Sequence, residues 1–307
     1  MTTTILMAIY HGGGHLRAQL DSLAAQSVPW NLQIGDDGGD RRDAETICHF
    51  AQSDAAQGHR ITRTDGPGQG FAANFMQLIA TQQSATGPVA LSDQDDIWLP
   101  GKLARALAHL NRIPDDQPAL YCSRRWIWHP HTDKRTPSRR YARAPGFANA
   151  LVENVAPGNT IVLNAPAARL AAGAARHCGP VFAHDWWLYQ VLSGAGAHII
   201  VDPEPTLLYR QHPGNALGAG ERLSACINNK RAVLRGEYAR RMSRQLAALE
   251  CCAPLLTPEN RHLLGRFTRT RQATLRERLS RLGETGVYRQ STMSSLGFWG
   301  AAILGRI

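Results

Sequence analysis

Apolar residues in the first hundred positions fall into short continuous runs separated by stretches of helical period. Thr4–Ile9 (TILMAI) is a block of consecutive apolar residues, the pattern of a strand covered on both faces. Leu16, Leu20 and Leu23 follow at steps of four and three, which places them on one face of a helix. Leu32–Gly35 (LQIG) and Arg60–Thr64 (RITRT) read as the second and third strands, with helical composition over Arg41–Gln57 between them. FAANFMQLIATQQ, from Phe71, is a third helix; PVALSDQDD, from Pro88, is a fourth strand and KLARALAHL (Lys102–Leu110) a fourth helix. Strands alternating with helices predict an α/β fold, a mainly parallel, Rossmann-like sheet with helices on both faces. Ligands bind such sheets at the carboxyl ends of the strands. The turns YHGGG, GDDGGD, TDGPGQG and SDQDD all lie on that one edge.

Beyond Pro114, ALYCS and NTIVLN read as strands, PAARLAAGAA and DWWLYQVLSGAG as helices, and HIIVD and TLLYR as two further strands. Residues 128–147, rich in Arg, Pro and His, read as a long connection. Past Gly218-Ala219-Gly220, Leu223, Ile227, Leu234, Tyr238, Met242, Leu246 and Leu249 recur at helical steps with arginines between them. A second such run is Leu263, Phe267, Leu275, Leu279 and Leu282, and the chain ends on the apolar SSLGFWGAAILGRI, too short to span a bilayer.

Charge sharpens this division. The net charge is +10, yet residues 1–220 hold 18 Lys+Arg against 18 Asp+Glu, while residues 221–307 hold 16 against 6. The helical extension carries all of the excess. Two readings fit it: helices packed on the first 220 residues with a solvated basic face, or a basic amphipathic surface for anionic lipid. A nucleic-acid binder would interleave aromatic residues with the basic ones, and residues 221–280 offer only Tyr238 and Phe267. Hydrophobic residues at 43% and charged at 19% suit a globular protein. Six scattered cysteines without a CxxC pair suggest neither a zinc site nor a disulfide framework, and favour a reduced cytosolic setting. The start, MTTTILMAIYHGG, lacks the basic segment of a signal peptide.

The chemistry sits in the turns. HGGGH after the first strand lacks the third glycine of a dinucleotide fingerprint, Arg17 standing in its place. In IGDDGGD, Asp40 is placed to cap the next helix, and the pair Asp36 and Asp37 suits a base imide or a ribose hydroxyl. In SDQDD, Asp93 and Asp95 share a face of an extended chain, and a hard divalent cation, Mg²⁺ or Mn²⁺, resolves their repulsion. HDWWLYQVL opens a helix with Asp185, either an N-cap or a general base, beside Trp186 and Trp187, a candidate sugar-stacking wall. Arg210 and His212 end a strand and can face phosphate or metal.

In order, ILMAIYHGGGHLRAQLDSLAAQS, IGDDGGD, GPGQGFAANF, LSDQDDIWLPGKL, APGNTIVLN, HDWWLYQVLSGAG and YRQHPGNALGA resemble the family 2 glycosyltransferases of the GT-A fold. The likeness is to the bacterial rhamnosyltransferase-like branch that builds surface polysaccharides such as O-antigen, and it covers about residues 4–220. It implies a nucleotide-binding half over about 1–112 and an acceptor half over about 113–220, to which the periodicity adds the basic helical tail over 221–307. Tyr10, Asp36, Asp37, Asp93 and Arg210 would contact the nucleotide sugar, Asp95 and His212 the metal, and Asp185 would be the base. Asn159, Trp186 and Trp187 would wall the acceptor or sugar. The implied reaction is inverting transfer from a dTDP- or UDP-linked sugar to a glycan or lipid-linked acceptor, by a cytoplasmic enzyme peripheral on the inner face of the plasma membrane. His11 stands where the family has Asn, Gly39 where it has Ser, and Ile9 and Gln69 also depart from its pattern. A sugar nucleotidyltransferase is the rival enzyme, but its Gly-rich loop carries a basic residue after the first strand, and Arg17 lies within the following helix.

Overall fold

A computed structural model describes residues 1–212 and 235–307. Four parallel strands form its first half: β1 (Thr3–Ile9), β2 (Trp30–Asp36), β3 (Ile61–Asp65) and β4 (Val89–Ser92), ordered β3-β2-β1-β4. Helices α1 (Gly13–Ala24), α2 (Arg41–Ala51) and α3 (Phe71–Ala80) connect them. The strands alternate between two cores. Ile5, Met7 and Ile9 of β1 meet Leu16, Leu20 and Leu23 of α1 on one face, while Leu6 and Ala8 meet Phe75 and Leu78 of α3 on the other. Helices therefore cover both faces, as the unbroken apolar runs require.

The sheet continues as β8-β6-β9-β5, with β7 paired to β6. These are β5 (Ile97–Trp98), β6 (Ala119–His129), β7 (Lys134–Pro137), β8 (Val162–Leu163) and β9 (His198–Arg210). Helices α4 (Lys102–Leu110), α5 (Phe147–Ala150), α6 (Ala165–Ala175) and α7 (His184–Gly194) complete this half. The parallel β6–β9 pair is long, and the antiparallel pairs to β5 and β8 are two residues each. Asp93–Asp96 joins β4 in mid-sheet to β5 at the edge, with β8, β6 and β9 between those strands.

Three expectations change. HIIVD and TLLYR are a single strand, β9, because register shifts against β6 at Ser123, Arg124 and Trp126 accommodate Pro203 and Pro205; proline is tolerated at such bulges. The connection at 128–147 contains a hairpin, since β6 runs on to His129 and returns as β7. NTIVLN is mostly a turn, with strand only at Val162–Leu163.

The extension folds as α8 (Glu237–Cys251), α9 (Pro258–Gln272), α10 (Leu275–Thr285) and α11 (Thr292–Ile303). The second apolar run is thus two helices, parted where Ala273 turns extended. Met242, Leu246 and Leu249 of α8 are buried in the same core as Leu188 and Val191 of α7, so that stripe packs inward. Leu223, Ile227, Leu234 and the division near residue 220 lie outside the described residues.

Candidate active site

A cavity of about 730 Å³ opens at the carboxyl ends of the strands. Tyr10, Asp37, Gly68 and Gly70, and Asp93 with Gln94 and Asp95, bring all four predicted turns to its wall. The first turn is held by Gln94, whose Oε1 accepts from Tyr10 N at 2.8 Å while its Nε2 donates to Tyr10 O at 3.0 Å. Asp43 accepts from the free N–H groups of Gly12 and Gly13 at 2.6 and 3.0 Å, capping α1 from α2. His11 has φ +46°, a region where Asn, Asp and His are enriched. His is therefore a residue type that this left-handed turn accepts.

The two acids after β2 divide their labour. Asp37 lines the cavity and accepts from Gly68 N and Gly70 N at 2.9 and 3.0 Å, which fixes the third turn. Asp36 is buried outside the cavity wall: one oxygen accepts from Gly38 N and Gly39 N, the other from Arg63 at 2.6 and 2.8 Å. With both oxygens taken, Asp36 staples the turn and leaves no acceptor for a nucleoside. Asp40 caps α2 as expected, accepting from Arg42 N at 2.8 Å.

After β4, one carboxylate oxygen from each of Asp93, Asp95 and Asp96 falls within 4.8 Å of the others. Burial, then the charge of Asp95, raises the Asp93 carboxyl to about 7. Burial and both neighbouring carboxylates raise Asp96 as well. Asp96 Oδ2 accepts from Asn159 Nδ2 at 2.6 Å, and its buried Oδ1 has no hydrogen-bond partner. Such a cluster, with an orphaned buried oxygen, fits a divalent cation. Strand β9 ends beside it: His212 Nε2 lies 2.7 Å from Asp95 Oδ2, and Arg210 Nε donates to the Asp95 carbonyl at 2.9 Å. Beneath sits Lys102, fully buried against the Trp98 ring and lowered to about 7 by burial.

Asp185 faces the same cavity from the first turn of α7 and accepts from Gly158 N at 3.1 Å. It is not the N-cap, a position taken by Ala183. Trp186 and Trp187 point the other way. Both are buried, Trp186 Nε1 donates to Ala150 O at 2.7 Å, and neither lines the cavity. Every residue of α7 except Asp185 is buried, so its tryptophans belong to the core rather than to a sugar wall. Asn159 does line the cavity.

Sequence patterns assigned no role to Arg125, Tyr209 or His184, whereas Asp96 stood with Asp93 and Asp95 in the acidic run. Arg125 lies over the Tyr209 ring, 4.0 Å from its centroid, and donates to Asn159 Oδ1 at 3.3 Å, so both residues wall the cavity through β6 and β9. Their inward direction depends on strand register, which the isolated segments do not fix. His184 is buried and stacked on Phe75, its rings 4.0 Å apart, and burial lowers it to about 4.

The fold is that of the GT-A glycosyltransferases. The structure of S. aureus TarS 1-349 matches with TM-score 0.51 at 12% identity, covering 86% of each chain. The mannosyltransferase PcManGT from Pyrobaculum calidifontis, in complex with GDP-Man and Mn²⁺, matches with TM-score 0.50 at 12% identity, covering 99% of this chain and 85% of its own. In sequence, the dTDP-rhamnosyl transferase RfbG of Shigella flexneri is 26% identical over 219 residues, 69% of this chain and 74% of that protein. No family model matches. The chain thus has the GT-A glycosyltransferase fold, and in sequence it is similar to a dTDP-rhamnosyl transferase.

Proposed function

We propose that this protein is a metal-dependent, inverting glycosyltransferase that moves a sugar, rhamnose being favoured, from a dTDP- or UDP-linked donor to a hydroxyl of a glycan or lipid-linked acceptor in surface polysaccharide synthesis. One observation carries the reading: Asp37, the acidic pair Asp93 and Asp95, and Asp185 all line one cavity. Its volume, about 730 Å³, suits a nucleotide sugar. The likeness to a dTDP-rhamnosyl transferase supports the donor, and PcManGT and TarS, solved with GDP-Man and Mn²⁺ and with UDP-GlcNAc, support the class.

In this reading Tyr10 and Asp37 border the nucleoside end, and Asp93 and Asp95 with Asp96 and His212 hold a Mg²⁺ or Mn²⁺ ion. That ion supplies positive charge to the departing diphosphate. Asp185, its Oδ2 oriented by the Gly158 N–H, takes the acceptor's proton as the hydroxyl oxygen bonds to the anomeric carbon and the carbon–oxygen bond to the diphosphate breaks. Direct displacement with one base inverts the anomeric configuration. Arg125 and Asn159 shape the wall between base and acidic cluster. A position at the inner face of the plasma membrane fits the excess positive charge beyond residue 220. No helix among the described residues is long and apolar enough to cross a bilayer.

Calorimetric titration of dTDP, UDP and GDP, with Mg²⁺, with Mn²⁺ and with EDTA, tests the proposal. Metal-dependent binding of one nucleotide, lost in Asp95→Ala, is expected. Equal binding in EDTA or in the variant would remove the metal role.

A further inference from the structure

The apolar stripe of α8 is spent on the core; with Arg240, Arg241 and Arg244 outward, that helix offers no apolar face for the hydrocarbon of a bilayer. The last helix does. Phe298, Ala301 and Ala302 bury one side of α11. On its opposite side Met293, Leu296 and Ile303 are 77%, 61% and 52% exposed, and Trp299 and Leu304 are exposed with them. Steps of three, three and four from Met293 to Ile303 make one continuous outward stripe. Large apolar side chains gathered in this way on a surface mark an interaction site.

Charge identifies the occupant. Residues 235–307 hold 13 Arg and five Glu, with neither Lys nor Asp. Arg278 donates to Ala302 O at 2.9 Å, which sets the start of α10, with exposed Leu275 and Arg276, beside the C-terminal end of α11. Arg306 is exposed just beyond. An apolar stripe edged by arginines complements an anionic bilayer, with the hydrocarbon side chains in the interface and the guanidinium groups among the headgroups. At 12 residues α11 lies in the plane of the interface rather than across it.

The helix is also tied to the cleft. In the segment leading into it, Gln290 accepts from Arg143 N at 2.9 Å and donates its own N–H to Glu153 at 2.5 Å. Tyr288 O accepts from Asn149 at 2.9 Å. Tyr141 and Asn154, both in the cavity wall, flank these partners in sequence. We infer that the outward face of α11 docks on an anionic lipid surface and thereby turns the acceptor side of the cleft toward the bilayer, so that the acceptor is lipid-linked. The acceptor clause rests on the transferase reading; the docking does not.

The test is sedimentation of the full chain with phosphatidylcholine vesicles, with and without phosphatidylglycerol. Binding is expected only to the anionic vesicles, weakened by high salt and reduced at least about tenfold in Leu296→Glu/Ile303→Glu. The emission of Trp299 should shift to the blue on binding, a change absent in Trp299→Phe. Thermal melting and metal-dependent nucleotide binding of the double variant should match the parent, which separates docking from folding and from the transferase reading. Unchanged vesicle binding in the double variant, no binding by the parent, or self-association that the variant abolishes without any vesicle binding would each overturn the docking. If docking holds while nucleotide binding fails, the transferase reading falls and the lipid surface stands.

Discussion

Gly158 donates its N–H to Asp185 Oδ2 at 3.1 Å, and the next residue, Asn159, donates Nδ2 to Asp96 Oδ2 at 2.6 Å. Two neighbours in one short turn thus link the carboxylate of α7 to the acidic cluster after β4. The spacing of the proposed base and the proposed ion site is set through one main-chain N–H and one short, buried side chain of adjacent residues. Asp185→Asn keeps the acceptor oxygen for Gly158 but lacks the basicity, so turnover should fall by roughly 10²–10⁴-fold with nucleotide affinity nearly unchanged. Substantial residual transfer would remove Asp185 from the role of base.

Asn159 also accepts from Arg125, so it satisfies two charged groups at once. Asn159→Ala leaves a buried carboxylate without its donor and should destabilise the protein by about 2–3 kcal/mol. Urea unfolding measures this, and a loss below about 0.5 kcal/mol would show that the contact is not maintained in solution.

His184 gives a pH signature. Burial lowers its ring from the ordinary 6.5 to about 4, so between those values the unfolded chain takes up a proton that the folded chain refuses. Its contribution to stability therefore declines as pH falls through that window, by up to about 3 kcal/mol. His184→Phe keeps an aromatic ring on Phe75 and removes the proton. Unfolding curves of the two proteins at pH 4 to 7 should diverge in the variant's favour toward pH 4; parallel curves would mean that the ring protonates in place.

Trp187 is wholly buried. Trp187→Ala should cost about 3–5 kcal/mol of stability without weakening nucleotide binding at temperatures where the variant stays folded. A stable variant with a raised acceptor KM would restore the sugar-wall role.

The parts of the fold that depend on local pattern were legible. Lys102–Leu110 is a helix at the predicted bounds, and the four turns after the first four strands do converge on one cavity. Acidic pairs, by contrast, could not be resolved from spacing. Asp36 and Asp37 are adjacent, yet only Arg63, brought in by β3, decides which of them is consumed internally. The tryptophans of α7 misled for a related reason. Beside a catalytic-looking acid they suggest a sugar wall, but a helix buried on every other side must turn them into the core. Arg125 became visible only when β6 and β9 were paired with their bulges.

The route of Asp93–Asp96 across the sheet has a mechanical consequence. Four strand spacings separate β4 from β5, roughly 19 Å if the sheet were flat, whereas the five steps from Ser92 to Ile97 reach at most about 17 to 18 Å. The segment is the chord of an arc, and the arc must bend for the chord to meet both ends. The spacing of the proposed ion ligands is thereby coupled to curvature, so a core substitution under β6 or β9 that relaxes the bend would loosen the three carboxylates from a distance, as slackening a bow alters its string.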